Sequence, residues 1–225
     1  MLLYRKKKDS EIMGTIKYRN LEKDDYEQIK QLINNAFNIN GFIKDKKVLD
    51  LVLKFYLQDC IVSSSFSKVA EKDNKVIGII LGNALKDKHR LKNTYNIISI
   101  ACTLMKGIFI SKVNKKAINV FWKIQKAYNE MFQGKEKNFQ GSIELFIVSQ
   151  ESRGLGVGGE LLNSLTNYMK SMRVNSIYVF TDSECNYGFY DSKKFKRINE
   201  QEIIFEQFKD RLTVYLYEYN YAYLS

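Results

Sequence analysis

Between an apolar run and an amphipathic one, residues 152–162 read SRGLGVGGELL and place four of the chain's 12 glycines within six positions. Glycine inside a helix costs about 1 kcal/mol relative to alanine, yet these glycines lead directly into a helical pattern. The preceding GSIELFIVS alternates and is rich in β-branched and aromatic residues, so it reads as a strand. In GVGGELLNSLTNYMKSM, Leu161, Leu162, Leu165, Met169 and Met172 recur at helical spacing. SIYVFTD is a further short apolar strand. Strand, crossover helix and strand make a parallel pair. A chain holding this unit has to build an α/β sheet.

The flanking segments extend that sheet. GTIKYRNL reads as a first strand, and DDYEQIKQLINNAF as a helix with Tyr26, Ile29, Leu32, Ile33 and Phe37 on one face after an Asp24 cap. KVLDLVLKFYL repeats the pattern with Val48, Leu49, Val52 and Tyr56. SKVAEKDNKVIGIILGNAL is a hairpin turning at Asp73-Asn74. After SIYVFTD come a short helix in NYGFYDSK, the run FKRINE and a last strand in LTVYLYEYN. Residues 86–138 interrupt the rhythm and read as two helices, about 94–110 and 114–132. With no proline there is no proline-rich linker. The expected organisation is a single domain over 15–225, a helical basic insertion at about 86–138, and a basic N-terminal extension over 1–14.

Charge narrows the classes of partner. The chain carries +11, and residues 86–138 hold 12 Lys or Arg against 3 Asp or Glu. Such a patch attracts nucleic acid, an anionic membrane surface or an acidic cofactor; its simplest reading is a solvated lysine-rich face. No nucleic-acid motif occurs there, which ranks nucleic acid last. Cys60, Cys102 and Cys185 are sparse and lack metal-ligand spacing, as expected in a reducing compartment. MLLYRKKKDSEIMG has no apolar core of a secretory signal. The longest apolar run, residues 97–110, is too short to span a bilayer and is broken by Lys106. The expectation is a cytoplasmic protein without membrane insertion. His89 is the single histidine, so neither a histidine-built metal site nor a Ser-His-Asp triad is expected.

The glycines have a chemical reading. The first N–H groups of a helix lack intrahelical partners and carry partial positive charge. Bare glycines let an anion reach them, so a strand–glycine loop–helix is a phosphate cradle. Arg153 adds a cation beside it. A Walker loop is excluded because no Lys-Ser/Thr follows the glycines. Gly154, Gly156 and Gly159 have the spacing of a dinucleotide fingerprint, and Asp182 ends the next strand as that motif requires.

A longer pattern fits better. LFIVSQESRGLGVGGELL resembles the pyrophosphate-binding motif of the GNAT superfamily of N-acetyltransferases: [Arg/Gln]-x-x-Gly-x-[Gly/Ala] is met by Arg153, Gly156 and Gly158. Val148 ends the strand before it and Leu161-Leu162 follow it, as in the family. NYGFYDSKKF supplies the family's Asn186, its aromatic-Tyr pair Phe189-Tyr190, and Phe195. Lys194 departs from the usual Gly. The resemblance is specific over 141–198 and agrees in element order over 15–85.

The resemblance implies a mixed, mostly antiparallel central sheet flanked by helices, with the fourth and fifth strands (142–148 and 176–181) splayed apart. Acetyl-CoA would lie in the gap as co-substrate, with no metal. Its pantetheine would pair with the backbone of Phe146, Ile147 and Val148. Its pyrophosphate would lie on the amides of Arg153, Gly154, Leu155, Gly156, Val157, Gly158 and Gly159. Asn186 would bond the pantetheine or cap the short helix. An amine attacks the thioester directly, and a strand amide near Ile147–Val148 would face the oxyanion. Tyr190 holds the position of the family's acid toward the leaving thiolate; alternatively it packs against the sheet. Glu144, placed by alternation on the side of Phe146 and Val148, is a candidate base, or an ordinary strand glutamate; Glu71 is weaker. Cys185 reads as a small hydrophobe or a redox-sensitive thiol.

The acceptor would be a small-molecule or peptide amine, with no motif to identify it. The insertion, through Ile97, Ile100, Leu104, Ile118, Phe121 and Trp122, would cover the acceptor end of the cleft or pair two copies in a homodimer. The alternative to an N-acetyltransferase is a non-catalytic acyl-CoA-binding or regulatory module on the same fold.

Overall fold

The computed structural model describes residues 15–89, 91, 115–206 and 210–221. Seven strands make one sheet: β1 (Lys17–Arg19), β2 (Phe66–Lys72), β3 (Lys75–Ala84), β4 (Gly141–Val148), β5 (Ser176–Asp182), β6 (Lys196–Phe205) and β7 (Asp210–Asn220), ordered β1-β2-β3-β4-β5-β7-β6. The β4–β5 pair is parallel and every other pair antiparallel. Among the described residues six helices flank it: α1 (Tyr26–Phe37), α2 (Ile39–Phe42), α3 (Lys46–Ser63), α4 (Lys115–Phe132), α5 (Val157–Ser171) and α6 (Gly188–Ser192). The β2–β3 turn places Asp73 and Asn74 at φ 50° and 60°. Asn and Asp tolerate that left-handed conformation best among residues with a side chain, as a two-residue hairpin requires.

Side chains alternate across the pleat and feed separate cores. On one face α5 buries Val157, Leu161, Leu165 and Met169 against Ala70, Ile80, Ile143, Ile177 and Val179. On the other face α1 and α3 cover β2–β4 with Ile29, Ile33, Leu53, Leu57 and Ile61 against Val69, Ile79, Leu81, Leu145 and Ile147. Beside them α4 covers β5–β7, packing Ala127 and Met131 on Ile203, Phe205, Val214 and Leu216.

Several local readings change. The residue that organises the start of α1 is Asp25, not Asp24. Its buried carboxylate accepts from the Glu22 amide at 2.8 Å and takes both Arg19 guanidinium nitrogens at 2.7 Å. The buried stripe of α3 is Val48, Leu53, Leu57, Cys60 and Ile61, while Leu49, Val52 and Tyr56 are half-buried. Apolar residues surround that helix, so periodicity alone did not select a face. Arg19 also bonds Glu71 at 2.7 Å, which fixes that carboxylate between β1 and β2. Of the two helices expected in 86–138, the second is α4; residues 94–110 lie outside the described residues, as does the 1–14 extension. His89 is 98 % exposed beside Asp87.

Candidate functional site

β4 and β5 pair as strands through Gly141–Ile177 and Ser142–Tyr178. Beyond that point β4 stays with β3 up to Val148 and β5 stays with β7 up to Asp182, so the two strands part. A bulge begins the divergence: Leu81 pairs with Leu145 but Gly82 with Ile143, leaving Glu144 as the extra residue. An extra residue bends its strand and re-aims its side chains. The closed end is tightly packed. A Cβ at Gly82 would stand 2.4 Å from a Leu165 methyl, and one at Gly141 would stand 2.5 Å from the Asn83 carbonyl.

The bulge also corrects the expected orientation of Glu144. Phe146 and Val148 face α5, whereas Leu145 and Ile147 face α1 and α3. Glu144 is bonded by the Ser142 hydroxyl and raises the Cys60 thiol and the Tyr178 phenol. It therefore lies on the α1/α3 side, opposite Phe146 and Val148. Simple alternation fails because the inserted residue resets the pleat.

Backbone groups at the gap follow from ladder parity. The Ser149 amide donates to Ile77 O at 2.8 Å. In an antiparallel ladder bonded residues alternate, so Ile147 and Leu145 bond β3 while Phe146 and Val148 turn their amides and carbonyls to the gap. Ile147 thus drops out of the expected set of gap-facing backbone groups.

At the open end of β4, a turn over Gln150–Ser152 precedes Gly154 (φ 82°) and Gly156 (φ 79°), the N-cap of α5, which carries no side-chain cap bond. A Cβ at Gly154 or Gly156 would meet nothing within 4 Å, so the glycines answer a backbone need and leave open space ahead of them. A Cβ at Gly158 would meet the Phe189 ring at 3.2 Å, and one at Gly159 only the Lys193 ammonium at 3.7 Å. Val157 is buried, whereas Arg153 and Leu155 are exposed. This cradle fits a diphosphate: helix-start amides, two bare glycines with open space ahead of them, and the Lys193 ammonium beside Gly159, with Arg153 exposed on the same loop. Lys193 escapes a sequence reading because α6 delivers it from beyond the other strand; its one sequence signal is adjacency to the Phe189-Tyr190 pair.

α6 ends in a Schellman motif: the Phe195 amide donates to Tyr190 O at 3.0 Å and the Lys194 amide to Asp191 O at 3.2 Å, with Lys194 at φ 64°. That conformation favours Gly, which explains the glycine expected there. Asn186 is exposed and does not cap α6 through its side chain: the N-cap is Tyr187, and Asn186 O accepts from the Phe189 amide at 3.1 Å.

Tyr190 is 7 % exposed, its ring centroid 5.3 Å from Phe195, 5.6 Å from Tyr217 and 6.4 Å from Phe146. Burial pushes its phenol well above the ordinary value, helped by Cys185, Asp182 and Tyr128. The ring is thus part of the core, while the groups that its hydroxyl feels stand at the open end of β5. Tyr217 locks the helix in place: its hydroxyl donates to Asp191 at 2.9 Å and accepts from Arg197 at 3.0 and 3.1 Å. Burial likewise pushes the Cys185 thiol up to about 12, with Asp182 adding to it. The structure therefore gathers Phe146, Val148, the glycine loop and Tyr190 around one opening. Glu144 lies at its floor on the other face, and Glu71 lies away from it.

The profile of the acetyltransferase (GNAT) family matches residues 26–194. No sequence among curated proteins matches the chain. Solved structures match at the level of fold. An N-acetyltransferase from Staphylococcus aureus Mu50 superposes with a TM-score of 0.54 at 14 % identity, covering 92 % of this chain and 99 % of that one. An agmatine N-acetyltransferase gives 0.57 at 10 %, covering 91 % and 99 %. The ribosomal-protein-S18-alanine N-acetyltransferase from Escherichia coli gives 0.53 at 9 %, covering 92 % and 94 %. Among the described residues no helix is long and apolar enough to cross a membrane.

Proposed function

The chain belongs to the GNAT acetyltransferase family, and from that premise we propose that it is an acetyl-CoA-dependent N-acetyltransferase acting on an amine. The observation that carries the reading is the opening between β4 and β5 with a glycine-lined helix start at its mouth. Acetyl-CoA would supply an acyl group already activated as a thioester. The amides of Val157, Gly158 and Gly159, with Gly154 and Gly156 bare ahead of them and Arg153 and Lys193 beside them, hold its diphosphate. Phe146 and Val148 offer the main-chain groups of an unpaired strand edge to its pantetheine, and Asn186 stands at the far wall.

Three roles remain for the chain's own side chains. Tyr190, buried with its ring 6.4 Å from that of Phe146 on β4, gives its proton to the departing thiolate. Glu144, on the face covered by α1 and α3, takes the proton of the incoming amine directly or through water. The Val148 amide, turned into the gap, donates to the oxygen on which charge develops.

The test combines calorimetry with acetyl-CoA and release of free thiol across a panel of amines, amino acids and peptides. Arg153→Ala is expected to weaken acetyl-CoA binding. General-acid help is typically worth about 10²-fold or more, so Tyr190→Phe should lower kcat by that order while acetyl-CoA affinity stays near wild type. Acetyl-CoA binding with no turnover on any amine would instead favour a non-catalytic acyl-CoA-binding module. Absence of acetyl-CoA binding would refute both.

A further inference from the structure

Two helices leave the closed end of the gap on the face opposite α5, one along each diverging strand. On the β4 side, the Ser65 amide just beyond α3 donates to Gly82 O at 2.9 Å, level with Ile143. One turn back along α3, the Cys60 thiol donates to Glu144 O at 3.6 Å. Tyr56 lies one further turn out, with its ring edge-on to Phe37 at 5.8 Å. On the β5 side, the α4 residue Phe132 packs on Tyr178 at 4.5 Å, at the last β4–β5 pair. One turn back along α4, Tyr128 stacks on Phe180 at 4.2 Å and 17°. α3 and α4 thus form facing walls above the opening, each presenting a tyrosine about one turn above the point where the strands part. Glu144 lies on the floor. Asp182, two residues beyond Phe180 on the same face, ends β5.

The charge of these walls runs against the charge of the chain. The protein carries +11. Yet the carboxylates placed along these walls are Glu144, bonded by the Ser142 hydroxyl at the floor, and Asp182, which accepts from the Glu184 and Cys185 amides at 2.9 and 3.0 Å at the end of β5; beyond the effect of burial, Glu144 helps push up the Cys60 thiol and the Tyr178 phenol, and Asp182 those of Cys185 and Tyr128. Aromatic faces and carboxylates attract an ammonium group, and an anionic substituent placed there would meet the like charge of Glu144 and Asp182.

We propose that the acceptor reaches the gap between α3 and α4, and that this passage selects an aliphatic cationic amine bearing no carboxylate or phosphate, held by the ring faces of Tyr56 and Tyr128 and by Glu144 and Asp182. The proposal rests on the acetyl-transfer reading and adds its substrate class. It makes Tyr128, which comes from the segment between β3 and β4, a specificity-determining residue.

The direct test compares 1,5-diaminopentane with lysine, which differ only by the α-carboxylate, using the wild-type chain and acetyl-CoA. The diamine is expected to exceed lysine in kcat/KM by at least about tenfold. Tyr128→Leu should raise the KM for the diamine about tenfold with a smaller effect on kcat, and Tyr128→Phe, which keeps the ring face, should stay near wild type. Lysine or other carboxylated amines turning over as well as the diamine would overturn the proposal while leaving acetyl transfer intact. So would a folded Tyr128→Leu with unchanged KM for every amine accepted. Failure of the wild-type chain to bind acetyl-CoA in calorimetry would remove both this proposal and the reading beneath it.

Discussion

Gly159 is the glycine of the loop that the fold does not need. Gly154 and Gly156 sit at φ 82° and 79°, where a Cβ is strained, and a Cβ at Gly158 would press the Phe189 ring at 3.2 Å. Gly159 has no left-handed φ, lies in the first turn of α5, and a Cβ there would meet only the end of a flexible lysine at 3.7 Å. Gly159→Ala should therefore stabilise the protein, by up to about 1 kcal/mol through helix propensity and a less disordered unfolded chain. In a chain of this size that is a rise in Tm of about 2–4 °C.

Gly156→Ala should do the reverse, costing about 1–2 kcal/mol because its φ belongs to the left-handed region. The two substitutions share a loop and a chemistry and differ in sign. On ligand they should agree. The Cα–Cβ bond of a helical residue tilts toward the helix N-terminus, so a methyl at position 159 leans over the amides that face the diphosphate. Acetyl-CoA affinity should fall about tenfold, about 1.4 kcal/mol. Thermal melts and calorimetry on the purified variants measure both quantities. A Gly159→Ala protein that melts higher and binds acetyl-CoA as the wild type does would refute the cradle. One that melts lower would refute the account of the backbone.

Other outcomes follow from single residues. Lys194→Gly should raise stability by about 1 kcal/mol, because Lys194 holds the left-handed position of a Schellman cap at φ 64°; a thermal melt at or below wild type would refute this. Burial, with Asp182 adding to it, pushes the Cys185 thiol up to about 12 in the native chain from an ordinary 9.0. That thiol should therefore alkylate on the order of 10³-fold more slowly at pH 8 than in the unfolded chain, read site by site by mass spectrometry. The sign for stability follows: the raised native value helps the fold fully below pH 9, and that contribution is lost as pH climbs toward 12. Glu144→Gln should move the pH–rate profile upward, since more of the amine must then lose its proton to bulk water; an unchanged profile would remove Glu144 as base.

How much of this was legible in the sequence depended on whether a constraint was local. The glycine loop was legible because positive φ and an unobstructed helix start are properties of single residues, and Gly154, Gly156 and Arg153 stand in the chain as they stand in the fold. The Asp73-Asn74 turn was legible for the same reason, as was the helix after the loop, whose Leu161, Leu165 and Met169 are fully buried. Relations between elements were not. The face of Glu144 turns on one unpaired residue opposite Leu81 and Gly82, and nothing in IELFIV announces a bulge. The buried face of α3 was hidden because apolar side chains surround it, so the sheet beneath chooses the stripe.

Lys193 joins the cradle only because α6 folds back across the opening, and Tyr128 reaches it only because α4 lies along β5 with Phe132 at the closed end. Most of the residues proposed to hold acetyl-CoA are thus written contiguously, in one loop and its flanking strand. The parts proposed to choose an acceptor come from α3, α4 and the end of β5, separated in sequence and brought together by packing. A short motif can therefore identify the first set. The second has to be read from which side chains face one another, and that is why the acceptor class emerges from Tyr56, Tyr128, Glu144 and Asp182 together rather than from any one of them.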